Sequence, residues 1–369
     1  MKIVGAVLEK SGRPRPYARS RPITVGEVEL ADPGPTELLV KIEAAGVCHS
    51  DLSVVDGNRP RPTPMLLGHE AAGVVIGAGT AVDDIGPGQR VVMSFLPRCG
   101  RCHECGQGGR LPCSAGSAAN TAGTLLGGRR LTRAGRPVHH HLGVSGFATY
   151  AVVDRASAVP VGPDIPAEVA AVLGCAVLTG GGAVLNVAKP APTDSLMVVG
   201  LGGVGMAAVI TARALQVSRV IAVDTEESKL GQAAALGATE TYSPAQLAEL
   251  GIKARHVIDC AGHPRAFETA FGATQPGGNT ITVGLPAATA LAAVSPLTIT
   301  AEARTVVGSY LGSAIPARDI PRYAQLWREG KLPVDRLISS RIRLDQINEA
   351  MDRLADGRAI RQVILFDEA

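Results

Sequence analysis

From about residue 194 the chain alternates short apolar runs with amphipathic segments, and this alternation constrains the fold more than any other feature. "SLMVVG" reads as a buried strand, "VGMAAVITARALQ" as an amphipathic helix and "RVIAVD" as a second strand. The helix "EESKLGQAAALGA", the strand "HVIDCAG", the helix "PRAFETAFGATQ" and the strand "GNTITVGL" continue the series. Strands separated by helices of this length predict an α/β fold, a doubly wound parallel sheet with right-handed crossovers.

The first strand meets the first helix at "GLGGVG", residues 200–205, where Gly200, Gly202 and Gly205 form a Gly-x-Gly-x-x-Gly turn that also contains Gly203 and Val204. Alone, the pattern is weak. Between a strand and a helix it places backbone N–H groups and the positive end of the helix where a dinucleotide pyrophosphate binds. The second strand ends in Asp224, whose carboxylate can accept hydrogen bonds from an adenosine ribose. The local "DTEES" is acidic and has no arginine for a 2′-phosphate, which favours NAD over NADP. The plainer alternative is an α/β protein with a glycine-rich turn and no dinucleotide.

Seven cysteines stand at 48, 99, 102, 105, 113, 175 and 260. Cys99, Cys102, Cys105 and Cys113 have the spacing Cys-x2-Cys-x2-Cys-x7-Cys, so one short segment can wrap a tetrahedral zinc. A four-thiolate shell leaves no open position, which makes such a zinc structural. Free thiols or disulfides in a flexible loop are the alternative. Cys48 lies in "GVCHSD", and local sequence leaves it as a nucleophile, a metal ligand or a buried thiol. Cys260 reads as a core thiol near a strand end.

At 369 residues the chain is long for a single core, so two domains are expected. Residues 1–110 read as short strands and turns, 99–143 as a long Gly-, Cys- and Arg-rich loop, and "FATYAVVDRASAVPV" as further strand. The C-terminal part ends in the helix "DQINEAMDRLADG" and the strand "RQVILF". Aromatics are only 3% and the net charge is +3 without a long basic run, which argues against nucleic-acid binding. The twenty residues Val169–Ala188 carry no charge, but their glycines and polar residues favour a broken interior segment over a membrane span. The N-terminus lacks the long apolar stretch of a secretory signal, so a cytoplasmic location is expected.

Taken in order, "GVCHSD", "LLGHEAAGVV", the four-cysteine lobe, "LGCAVLTG", "GLGGVG", "VIAVD" and "AIRQVILF" resemble the zinc-dependent medium-chain alcohol dehydrogenases, from about residue 5 to the end. The long segment after Cys113 is most similar to the liver-type, class I/III-like branch. The resemblance implies a Rossmann domain, 177–311, plus a mostly β, GroES-like catalytic domain made of 1–176 and 312–369. It also implies two zinc ions per subunit, NAD, a small alcohol or aldehyde substrate and a homodimer joined at the edge of the nucleotide-domain sheet.

Residue by residue, the family pattern makes Cys48, His69 and Cys175 ligands of a catalytic zinc, although they lie 21 and 106 residues apart. Glu70 falls behind that zinc, and Asp51 orients His69. Ser50 matches the hydroxyl that takes the alcohol's proton. His49 and Arg361 match cations facing the pyrophosphate, and Lys229 a ribose contact. Phe95, His141, Leu142 and Thr179 match channel positions, Thr179 also touching the cofactor, while Arg59 and Arg61 fall near the channel mouth. Ser53 stands where many liver-type relatives carry a relay histidine, so proton release is expected to use water or another group. "CSAGSAAN" lacks the arginine of the glutathione-dependent formaldehyde dehydrogenases, which lowers the reading as a thiol-adduct formaldehyde dehydrogenase. A non-enzymatic zinc- or NAD-binding relative would typically have lost a ligand, and none of the three is missing.

Overall fold

The computed structural model describes residues 1–366 and divides into two compact units. The first comprises Met1–Cys175, Ile315–Ala324 and the residues from 338 on; the second comprises Ala176–Ala314 and Gln325–Leu337.

The second unit carries the predicted parallel sheet. Its strands are Ser195–Val199 (β1), Arg219–Val223 (β2), Glu240–Tyr242 (β3), Ala254–Asp259 (β4), Thr274–Thr282 (β5) and Thr305–Gly308 (β6). They lie in the order β3-β2-β1-β4-β5-β6, all parallel, so the order reverses between β1 and β4. Ligands of open α/β sheets bind beyond the strand ends at such a reversal. The central strands β1 and β2 are buried and mostly apolar, as expected of a parallel sheet with helices on both faces, while β4 and β5 also bury His256, Asp259, Thr274 and Thr280. Met197, Val199, Ile221, Val223 and Val257 share one buried cluster. Helix α1, Gly203–Ala214, follows β1 directly, and α2, Glu227–Ala235, follows β2.

The expected catalytic segment 312–369 is interrupted: residues 312–314 and 325–337 group with the second unit. Packing explains this. Leu332, Val334 and Leu337 are fully buried, the turn Val334–Leu337 contacts α1, and Arg336 donates to the carbonyl of Ala235 at 3.0 Å.

The first unit is mostly β. Lys2–Leu8, Ile23–Leu30, Leu131–Arg133, Arg136–His140 and Met65–Leu66 close a small barrel. A second sheet is built on the long strand Glu37–Val47, which pairs with Ala71–Ala78, Tyr150–Asp154 and Arg361–Leu365. The region read as one long loop, 99–143, contains the helix Ser114–Ala122 and the hairpin Leu131–Arg133/Arg136–His140. The small residues of "SAGSAANTA" show no apolar stripe, so periodicity could not reveal that helix. It is capped at its start by Cys113, whose Sγ accepts from Gly116 N–H at 3.3 Å, and ends at Gly123. The helical stretch Ala167–Ala188 is long and apolar enough to cross a membrane, but 89% of its most apolar window is buried in the protein.

Candidate active site

Strand register assembles one cluster in the first unit. Cys48 follows the strand Glu37–Val47 and starts the helix His49–Val55. Val47 is paired with Gln362, so Arg361 enters from the neighbouring strand. On the other flank Ala45 is paired with Ala71, and Gly46 N–H donates to the carbonyl of Glu70 at 2.8 Å. His69 and Glu70 therefore end beside Cys48. The helix Ala167–Val172 packs on the same two strands and runs into a π-turn, Leu173–Val177, that carries Cys175. Such turns inside helices recur at functional sites because they re-aim one side chain.

One ligand atom each from Cys48, His69, Glu70 and Cys175 lies within 4.8 Å of all the others, and all four residues are buried. Cys175 Sγ is 3.3 Å from His69 Nε2. The opposite ring nitrogen, His69 Nδ1, is 3.0 Å from Asp51 Oδ1, while Asp51 Oδ2 accepts from the Cys48 N–H at 3.0 Å. One carboxylate thus fixes both the imidazole and the backbone of its neighbour. Burial opposes its charge, but the charge on His69 and contacts with both His69 and His141 hold the Asp51 carboxyl down at about 2. Burial likewise disfavours a charged His69, and Asp51 and Cys48 together raise it. The contact between the two thiols lowers Cys48 and raises Cys175, and burial raises both. Glu70 is pushed up to about 7, chiefly by burial, with Arg361 opposing.

The donor set fits zinc: two sulfurs and an imidazole converge, and the imidazole is already oriented from behind. Both Glu70 carboxylate oxygens are buried without a hydrogen bond among the described residues, and Arg361 Nε approaches one of them only to 3.5 Å. A bound cation would give these oxygens a closer partner than Arg361 does. Arg361, expected to face a pyrophosphate, is 2% exposed and donates through Nη1 to the carbonyl of Val47 at 3.1 Å. His141, expected as a channel wall, also reaches the cluster. Its Nδ1 is 3.1 Å from Asp51 Oδ1 but off the hydrogen-bonding angle, and its ring meets His69 edge-on at 5.5 Å. Phe95 meets His69 edge-on at 5.4 Å, and Leu142 is buried. Ser50 is half-buried, His49 is exposed and Arg59 is half-buried. The Ser53 hydroxyl donates to the carbonyl of His49 at 2.9 Å, within its own helix.

Cys99, Cys102, Cys105 and Cys113 form a second group with all four sulfurs within 4.8 Å. Cys102 and Cys113 are 3.7 Å apart, far beyond a disulfide of about 2.05 Å. The N–H of Cys105 pulls the Cys102 thiol down to about 6, while burial and the neighbouring Cys102 push Cys105 up to about 11.

In the second unit Gly200 has φ +92°, and a Cβ there would stand 2.7 Å from Ala261 N. Gly205 lies against the carbonyl of Gly200, where a Cβ would be 2.0 Å away. Gly202 differs: it is exposed, and a Cβ there would meet nothing within 4 Å. Space is left open at the start of α1, where Gly203 is buried and Val204 half-buried. This fits a phosphate approaching the backbone. Asp224 Oδ2 accepts from Leu201 N–H at 2.7 Å and Oδ1 from Glu226 N–H at 3.0 Å, while Lys229 Nζ stands 3.9 Å from Oδ2. Thr179 is buried in the helix Leu178–Gly182. Cys260 is half-buried one residue beyond β4, not within the core.

Two family patterns match the chain: "Alcohol dehydrogenase GroES-like domain" over residues 34–164 and "Zinc-binding dehydrogenase" over 203–329. The chain is 38% identical over 356 residues to a geraniol dehydrogenase of Castellaniella defragrans, covering 94% of this chain and 95% of that one. Among solved structures, an alcohol dehydrogenase zinc-binding domain protein from Burkholderia ambifaria matches with a TM-score of 0.92 at 31% identity. Benzyl alcohol dehydrogenase from Acinetobacter calcoaceticus matches with a TM-score of 0.90 at 30% identity, and both comparisons cover the whole of each chain. With the zinc-fitting cluster and the dinucleotide turn already placed, these matches settle the family: the chain is a member of the zinc-dependent medium-chain alcohol dehydrogenases.

Proposed function

We propose that this enzyme transfers hydride between primary alcohols, aliphatic or aromatic, and NAD, giving aldehydes. The observation that carries the reading is the convergence of Cys48, His69 and Cys175 in one buried cluster, with Asp51 behind the imidazole. These three residues would hold a zinc ion, which would supply Lewis acidity toward the substrate oxygen. The turn 200–205 would hold NAD, which would supply the hydride acceptor. Exposed Glu226 and Glu227 beside Asp224 favour NAD, because a 2′-phosphate there would meet carboxylates. The relatives' names point to geraniol and benzyl alcohol, both primary alcohols, and suggest the substrate class.

The chain's own contributions are positional and protonic. Asp51 fixes the His69 ring through Nδ1, and its other oxygen fixes the Cys48 backbone. Ser50, on the first turn of the helix His49–Val55, takes the alcohol proton at Oγ and passes it outward. Ser53 is committed to the carbonyl of His49 and cannot act as a base, so water or another group completes the path. Cys99, Cys102, Cys105 and Cys113 hold a second, structural zinc that organises a loop poor in apolar residues. The outward side of β6, with Val306 exposed, is the surface on which a second copy of the chain would pair.

Initial rates of NADH formation across short aliphatic, long aliphatic, terpenoid and benzylic alcohols test the reading. Turnover of free primary alcohols with NAD is expected. Activity confined to hydroxymethyl thiol adducts would replace it with a thiol-adduct formaldehyde dehydrogenase.

A further inference from the structure

The glycine-rich turn is flanked by two carboxylates, one on each side. Asp224, at the end of β2, holds Leu201 N–H. On the other side stands Asp259, the last residue of β4 and 2% exposed. Its Oδ1 accepts from Ala261 N–H at 3.1 Å, and its Oδ2 accepts from the Thr282 hydroxyl, at the end of β5, at 3.0 Å. Its own carbonyl accepts from Val283 N–H at 3.0 Å, and the next residue, Cys260, donates from its N–H to Val199 on β1 at 2.8 Å. The contacts of Asp259 and Cys260 lie at the carboxyl ends of β1, β4 and β5, beside the reversal in strand order.

Ala261 is the residue that Gly200 is shaped around. A Cβ on Gly200 would stand 2.7 Å from both the N and the Cβ of Ala261. The path of the turn that opens α1 therefore depends on where Ala261 sits, and Asp259 fixes Ala261. Resting on the dinucleotide reading above, we propose that Asp259 is a positioning residue for the dinucleotide site, bracing Ala261 against Gly200 and tying both to β5 through Thr282. The phosphate seat is then formed before the ligand arrives, and binding bears no ordering cost for the turn.

The contacts predict how substitutions should rank. Asparagine at 259 can keep both bonds: its carbonyl accepts from Ala261, and the Thr282 hydroxyl accepts from its amide as readily as it donates to the carboxylate. Alanine keeps neither. Titration of the full-length protein with NADH, followed by its fluorescence, should give a Kd about 10-fold or more higher for Asp259→Ala and within about 3-fold of wild type for Asp259→Asn. The KM for NAD should rise in parallel, while metal analysis of the first unit's sites should not change. Unaltered NADH affinity in Asp259→Ala overturns the proposal. So does equal weakening in both variants, which would tie the effect to charge and not to position. Should Asp259→Ala fail to fold, Thr282→Val removes only the tie to β5 and should weaken NADH by about 3-fold; no weakening would again overturn it. Wild-type protein that binds neither NADH nor NADPH would instead remove the dinucleotide reading, and this inference with it.

Discussion

Glu70 occupies the space that a side chain on Gly46 would need: a Cβ at 46 would stand 2.3 Å from Glu70 Oε1 and 2.7 Å from its carboxyl carbon. The two residues are also joined by the backbone bond from Gly46 N–H to the carbonyl of Glu70. Because Glu70 is fully buried beside Arg361, it has nowhere to swing without breaking the cluster.

Gly46→Ala should therefore lower stability by about 1–3 kcal/mol, the usual cost of overpacking, and reduce zinc retention. Gly26→Ala is the control, since a methyl there meets nothing within 4 Å. Thermal melts and metal analysis of both variants check this; equal behaviour would mean that Glu70 is not held as described.

Asp51→Asn leaves one of two donors unpaired, because an amide cannot accept from both the His69 ring and the Cys48 N–H. Loss of such an orienting group typically costs 10- to 100-fold in metal affinity, so about that loss is expected at this site. Competition with a chromogenic chelator measures it, and an unchanged affinity would contradict the role given to Asp51.

Gly202→Ala should separate folding from binding. The backbone at 202 has φ −78°, which alanine adopts freely, and the added methyl has open space. Melting should match wild type, while NADH should bind at least about 10-fold more weakly as the methyl fills the phosphate seat. Normal binding would place the dinucleotide elsewhere.

His140 predicts a pH dependence of stability. It is buried, with Nε2 accepting from Arg130 N–H at 3.1 Å, and burial followed by the charge of Arg130 depresses it to about 3. The folded value lies below the unfolded one, 6.5, so the unfolded chain takes up the proton first as pH falls. The stability from this neutral ring is complete above that unfolded value and is lost as pH falls toward the folded one. At pH 5 the loss is about 2 kcal/mol. His140→Gln should lose that much less than wild type between pH 7 and pH 5 in urea unfolding. Parallel pH profiles would exclude His140 as a source of acid sensitivity.

Much of this arrangement could be read from the chain alone. The parallel sheet and its turn were legible because strand and helix periods, and the glycine spacing, are local properties. The four-cysteine lobe was legible for the same reason: all its ligands fall within fifteen residues. Cys48, His69 and Cys175 were not, since only strand register and a π-turn bring them together, and the family resemblance supplied what spacing could not. The approach of His141 to Asp51, and of Arg361 to Glu70, depends on side-chain direction across paired strands and left no sequence signal. Asp259, inside "VIDCAG", carried no sequence signal of its own, because its role depends on contacts with Ala261 and Thr282 that only the fold brings about. The helix Ser114–Ala122 was missed because its small residues form no stripe.

On the function proposed above, Cys48, His69 and Cys175 hold a zinc that hydride transfer requires. Zinc content and NADH formation from a primary alcohol, measured on the same preparations of wild type and Cys48→Ser, test it most directly. Two zinc ions per wild-type chain with turnover are expected, and one zinc with activity reduced by orders of magnitude in the variant. A Cys48→Ser protein that keeps both zinc ions, or forms NADH at the wild-type rate, would contradict it.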